Sequence, residues 1–191
     1  LGKLQKGTWT MIESKMIYLF RHGETTSNVD GNIQGSKEPL TPHGHAQAHA
    51  LALRLLRERE RHPITVLLSS TDTRARETAE PIGKMLGLTP IVSPLLVELR
   101  HPSVLHGKSK TDPEVLRHIT ERRVNFHDPD FIYGDGENFP KMKERAIAAL
   151  NLTLELPDTH IGIVTHGAFA TVLAAATQRG HALTSHDLDA Y

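Results

Sequence analysis

The sequence predicts an α/β fold: a three-layer sandwich with a mostly parallel central sheet, helices on both faces and a flap over the carboxyl ends of the strands. Three observations lead there. Short apolar runs rich in β-branched residues, largely without in/out alternation, mark strands covered on both faces. Helical patterns separate these runs with short links, as an α/β sheet requires. One long, polar and basic segment, residues 100–136, fits neither pattern and reads as a flap over a site.

The elements follow in order. Residues 1–15, LGKLQKGTWTMIESK, begin with Leu1 and lack the apolar stretch of a signal peptide. They are expected to be a tag or an N-terminal extension, with Met11 or Met16 as the native start, and a single domain is expected over residues 16–191. MIYLF (16–20) is the first strand. TPHGHAQAHALALRLLRERER (41–61) opens a helix with Thr41 as cap and Pro42 at its first position. ITVLLS (64–69) and PIVS (90–93) are strands, separated by a helix over DTRARETAEPIGKMLG (72–87). The flap carries a short helix at about 113–124. ENFPKMKERAIAALNLTLEL (137–156) is a further helix, and the internal prolines Pro81 and Pro140 must fall in first turns or mark kinks. IGIVTH (161–166) is the last strand, and GAFATVLAAATQRG (167–180) is a helix closed by Gly180.

Composition narrows the function. At 191 residues the chain can bury about 70% of its unfolded surface. Lysine plus arginine number 22, as do aspartate plus glutamate, which argues against a broad nucleic-acid or anionic-membrane face but leaves room for a small positive pocket. The chain has no cysteine, which excludes disulfides and thiolate metal sites and fits a cytoplasmic protein. No apolar run approaches the roughly 20 residues that span a bilayer.

The chemistry is concentrated at strand ends. In YLFRHGETTSNVDG (18–31) the first strand runs directly into Arg21 and His22, a cationic pair that calls for an anion over it. LLSSTDTRARETA ends the second strand in Ser69–Ser70 and starts a helix carrying Arg74. LLVELR places Glu98 just after the third strand, and IVTHGAF ends the fourth in His166–Gly167 at a helix N-terminus. Ligand crevices of parallel α/β sheets lie beyond the carboxyl ends of the strands. If these ends line one rim, two arginines, two histidines and one acid form a cationic cup suited to a phosphoryl group, with guanidinium forks and helix amides as donors.

RHGETTSN, SSTDTRARETA, a glutamate about a strand later and VTHGAF resemble, in order and spacing, the signature of the histidine phosphatase superfamily, phosphoglycerate mutase-like branch. The resemblance covers roughly residues 16–180 and includes QG at 34–35, LTPHGHAQA at 40–48 and GENF at 136–139. It implies that His22 is the nucleophile that becomes phosphorylated. Arg21, Asn28, Arg74 and His166 would hold the phosphoryl oxygens, with Gln34, Gly35 and Gly167 at the substrate, and Glu98 would donate the proton. It departs after Glu98, where the family commonly has a glycine and a second acidic–glycine pair and this chain reads LRHPSVLHGKS. Relatives usually add a final strand beyond the point where Tyr191 ends this sequence, which leaves truncation open.

The expected activity is metal-independent hydrolysis of a small phosphorylated metabolite through a phosphohistidine, with water attacking in the second step. The alternatives are a phosphoglycerate mutase, which must keep water off the phosphohistidine with a longer lid than 100–136 provides, and an inactive phospho-ligand binding protein. No cofactor, nucleic-acid partner or membrane partner is expected, and a homodimer is left open. His45 and His49 stand four apart on one helix face but lack a third ligand, so they read as solvent-exposed. HGKS at 106–109 lacks the earlier glycine of a phosphate loop. His101, His106, Arg117, Arg122 and Arg123 are expected mostly on a solvated face, the alternative being that one or two of them contact a distal anion of the substrate.

Overall fold

The computed structural model describes residues 14–126, 128–185 and 187. The expected N-terminal extension up to residue 13, a start at Met11 and the chain end at Tyr191 lie outside the described residues. Strands β1 (Met16–Arg21), β2 (Val66–Ser70), β3 (Ile91–Ser93) and β4 (His160–Thr165) form one sheet in the order β1-β4-β2-β3, and every pair is parallel. Six helices follow in chain order: α1 (Thr26–Asp30), α2 (Pro42–Arg57), α3 (Thr73–Leu86), α4 (Pro113–Asn125), α5 (Phe139–Glu155) and α6 (Gly167–Arg179). Met16 pairs with His160 and Arg21 with Thr165, so the first strand meets the last over its whole length.

Apolar residues on both sides of each inner strand dictate the three layers. Leu68, Ile161 and Ile163 face α5 and α6 through Phe139, Met142, Phe169 and Val172. Their neighbours Leu67 and Val164 turn to the opposite face, against Ala52 and Leu55 of α2 and Ala75, Ala79 and Ile82 of α3. A strand buried on both faces has no polar side to alternate with, which is why the runs read as continuous.

Helix ends follow local chemistry. Thr41 caps α2 by accepting from the Gly44 N–H, with Pro42 at the start. Asn138 caps α5 and Pro140 falls in its first turn, as expected. Pro81 lies past the first turn, in the interior of α3, where it removes one helical hydrogen bond. Burial of Ala79, Ile82 and Gly83 carries that helix past it to Leu86.

The flap docks on the loop after α1. Leu105 and Val115 pack with Ile33, and the Ile33 N–H donates to the Lys108 carbonyl at 2.9 Å while Gly107 donates back to Ile33 at 2.8 Å. Among the described residues no helix is long and apolar enough to cross a membrane.

Candidate active site

Because all four strands run the same way, their carboxyl ends share one rim. A cleft of about 560 Å³ opens there, with Arg21, Asn28, Arg74 and Glu98 on one side and flap residues on the other.

His22 follows β1 directly and is anchored by its N–H to the Thr165 carbonyl at 3.0 Å. It is only 6% exposed. Nδ1 lies 2.7 Å from the Gly23 carbonyl oxygen, which has no proton to give, so Nδ1 carries the hydrogen and the Nε2 lone pair is bare. Arg74 Nε donates to that lone pair at 3.2 Å. The imidazole is held neutral, its pKa lowered to about 4, above all by burial. The Gly23 carbonyl opposes this, and the Arg74 and Arg21 charges reinforce it. Desolvation outweighs the two arginine charges.

Glycines make the turn that carries His22. A Cβ on Gly23 would stand 2.5 Å from the Gly44 carbonyl oxygen, and one on Gly44 would stand 2.1 Å from that of Glu24. The loop after β1 and the first turn of α2 touch backbone to backbone, and no side chain fits between them.

Arg74, in the first turn of α3, is 2% exposed and uses all three guanidinium nitrogens. Besides His22, it donates from Nη1 to the Gly35 carbonyl at 2.8 Å and from Nη2 to Asp72 Oδ2 at 3.0 Å. Asn28 completes a capping box with Thr25, spending its carbonyl oxygen on α1 while it lines the cleft. Gln34 also lines the cleft and donates to Thr25 Oγ1 at 2.6 Å. Gly167 opens α6 beside the Arg21 guanidinium.

Glu98 sits on the cleft wall and accepts from the N–H groups of Leu99 (2.9 Å), Phe169 (3.0 Å) and Ala168 (3.3 Å). It serves the N-terminus of α6, whose own cap residue, His166, makes no side-chain cap bond. His166 is fully buried, 2.9 Å from Ser70 Oγ and 3.3 Å from Asp72 Oδ2 through Nε2, with its ring 5.1 Å from that of His22. Burial first, then the Arg74 charge, lowers its pKa to about 2. Thus Arg21, Arg74, Asn28, Gln34, Gly35, Glu98 and Gly167 line the cleft, with His22 and His166 beneath.

Two participants were not singled out from the sequence. Asp72, two residues before Arg74, lines the cleft and touches both Arg74 and His166; the spacing was legible, the direction of the carboxylate was not. Arg145 of α5 clamps the segment that presents Glu98, donating to the carbonyls of Leu95 (3.0 Å), Val97 (2.6 Å) and Glu98 (3.3 Å). Glu137 pairs with it at 2.6 Å, and it lies 4.4 Å over the Phe169 ring. Nothing in KMKERAIAAL distinguishes this arginine from a surface one.

The flap is divided. His106, Arg117 and Arg123 are exposed, as expected for most of the five, and Arg117 donates to Tyr133 Oη at 3.1 Å. His101 and Arg122 are half-buried and line the cleft with Arg100, His106 and Lys110, where Leu105 and Val115 dock the flap. Burial, and next the Arg122 charge, lowers the His101 pKa to about 3. His45 lies 3.8 Å from Glu77, and no group of three or more candidate ligands that could hold a metal occurs among the described residues.

Comparisons place this geometry among known proteins. The chain matches the profile of the histidine phosphatase superfamily, branch 1, over residues 17–188. It is 38% identical over 157 residues to the protein named probable phosphoglycerate mutase GpmB of Klebsiella pneumoniae strain 342, covering 79% of this chain and 69% of that one. The α-ribazole phosphatase of Shigella flexneri superposes with a TM-score of 0.70 at 25% identity, over 92% of this chain and 84% of that one. In fold alone the chain is similar to a mycobacterial glucosyl-3-phosphoglycerate phosphatase, with a TM-score of 0.71 at 23% identity over 91% and 83% of the two chains.

Proposed function

The chain belongs to branch 1 of the histidine phosphatase superfamily, and from that premise we propose that it hydrolyses a small phosphomonoester through a phosphohistidine on Nε2 of His22. The observation that carries this reading is His22 itself: buried, neutral, its tautomer fixed by Gly23, and its unprotonated Nε2 held by Arg74 beneath the cleft.

In the first step the Nε2 lone pair attacks phosphorus, the N–P bond forms and the ester P–O bond breaks. Charge on the equatorial oxygens is met by Arg21, Arg74 and the Asn28 amide, with Arg74 already held at the cleft by its bonds to Gly35 and Asp72. Glu98 gives its proton to the leaving oxygen. In the second step water adds to phosphorus, loses a proton to Glu98, and the N–P bond breaks to release inorganic phosphate. The arginines supply the positive charge that a metal ion supplies elsewhere, so full activity is expected after exhaustive chelation. Loss in EDTA with recovery on adding zinc or magnesium would refute that part.

The cleft is small, and its far wall carries Arg100, His101, His106, Lys110 and Arg122. This supports substrates with a second anionic group beyond the phosphoryl. The name of the Klebsiella relative favours a second reading, phosphoglycerate mutase, in which the phosphohistidine returns its phosphoryl to a second hydroxyl. Hydrolysis is preferred because a flap of residues 100–136 is short for excluding water.

Labelling with a radioactive phosphomonoester, quenched in alkaline detergent, tests both steps. The wild type is expected to trap an acid-labile, base-stable phosphoprotein and to release inorganic phosphate, and His22→Ala to do neither while keeping its circular dichroism. Equal labelling of His22→Ala would remove the nucleophile assignment. Isomerisation of phosphoglycerate faster than phosphate release would replace the hydrolase by the mutase.

A further inference from the structure

Asp72 occupies an unusual post for the N-cap of a helix. Its side chain makes no capping bond to α3, although an aspartate there normally does. The carboxylate turns instead into the cleft, 8% exposed, with Oδ2 3.0 Å from Arg74 Nη2 and 3.3 Å from His166 Nε2. His22 and Gly35 take the other two nitrogens of Arg74, so the guanidinium has no idle nitrogen. Both bidentate edges of a guanidinium include Nη2. Any phosphoryl group gripped by two nitrogens of Arg74 must therefore share or replace the position that Asp72 holds.

We propose that Asp72 is an internal anion seated in the phosphoryl subsite of the free protein, and that an incoming phosphoryl dianion takes its place on Arg74 while Asp72 takes up one proton from solvent. The inference rests on the reading of this cleft as the phosphoryl site. The protonated carboxyl keeps accepting from His166 Nε2–H and turns its own O–H toward a phosphoryl oxygen, adding a donor to the cup.

The charges around Asp72 support this. Arg74 from α3 lies in direct contact, Arg100 faces it from the flap and Arg145 from α5, and the carboxylate of Glu98 faces it from the segment after β3. His166, from the turn after β4, is held neutral and adds no charge. Burial, with Glu98 adding to it, already raises the Asp72 pKa against the pull of Arg74. A dianion arriving on Arg74 neutralises that pull and adds repulsion, so the remaining balance drives protonation.

Sulfate tests this cleanly, because it remains a dianion wherever the protein is folded, and any proton taken up on binding must go to the protein. Isothermal titration of the full chain with sodium sulfate near neutral pH, in buffers of different ionisation enthalpy, is expected to give about one proton bound per sulfate. Where Asp72 is ionised in the free protein, affinity should fall about tenfold per pH unit as pH rises. Asp72→Asn, which keeps an acceptor for Arg74 and a donor for the anion, is expected to bind sulfate with no proton uptake and nearly pH-independent affinity. Asp72→Ser places a side chain that can cap α3 and should behave alike, which guards against a folding defect in either variant. Glu98→Gln and His22→Asn should retain the uptake. Uptake persisting in both Asp72 variants would assign the proton to another group and overturn the inference, as would sulfate binding by the wild type without uptake. No sulfate binding together with no phosphohistidine would bring down the reading of the site as well.

Discussion

The roles of single residues separate most sharply at Glu98. If its proton goes to the leaving oxygen, Glu98→Gln should slow phosphorylation of His22 most for poor leaving groups. An alkoxide needs that proton, whereas p-nitrophenolate leaves nearly unaided. General acid catalysis is worth about 100- to 10,000-fold, so the loss should approach that range for an alkyl phosphate and be far smaller for p-nitrophenyl phosphate. Pre-steady-state rates for both esters decide it, and an equal loss would reduce Glu98 to a positioning group. Since the carboxylate also accepts from Leu99, Ala168 and Phe169, Glu98→Gln sets an amide group against one of those N–H donors and should lower the thermal midpoint slightly. Asp135, another acid at the cleft, is committed to the Ser103 N–H at 2.8 Å and is the less suitable donor.

Between elements, the decisive contact is the backbone crossing of the loop after β1 over the first turn of α2. Gly44→Ala would drive a methyl group to 2.1 Å from the Glu24 carbonyl, so the loop must move and take His22 with it. A displacement near 1 Å can cost about 100-fold in rate, and kcat/KM with p-nitrophenyl phosphate should fall by about that much. A wild-type value would mean the crossing relaxes without disturbing the nucleophile. This scale also explains what could be read from the sequence. Strands were legible because MIYLF, ITVLLS and IGIVTH are buried on both faces and nothing interrupts their apolar runs. The helix start at Thr41 was legible from cap and proline chemistry, whereas the Asn138 cap was not singled out. The short α1 was not, since its Thr25–Asn28 capping box hides inside a motif read for catalysis. Which of the flap cations face the cleft, His101 and Arg122, was not legible, because their direction comes from Leu105 and Val115 docking on Ile33, a contact with no local signature.

At the scale of the whole molecule, the burial that lowers the pKa of His22, His101, His118 and His166 makes stability sensitive to acid. His22, His101 and His166 have pKa values lowered from 6.5 to about 4, 3 and 2. As pH falls below 6.5 the unfolded chain binds protons at these positions and the folded chain does not. Stability therefore declines with falling pH, for His22 until about pH 4 and for the other two further down. From the ordinary value to about pH 5 each such group is worth about 2 kcal/mol. Urea unfolding at neutral pH and at about pH 5 should reveal this decline, and His101→Gln should make it shallower; an unchanged slope would place His101 in water. The sheet order carries one more consequence. The strand that fills the middle, β4, pairs with both β1 and β2, yet it is the last of the four in the chain. During synthesis β1 and β2 emerge with open edges and wait for residues 160–165, so the nascent chain passes through a long aggregation-prone interval. His22 and Arg74 are translated early, but β4 comes last of the four described strands, so the cleft cannot close around them before residues 160–165 have emerged.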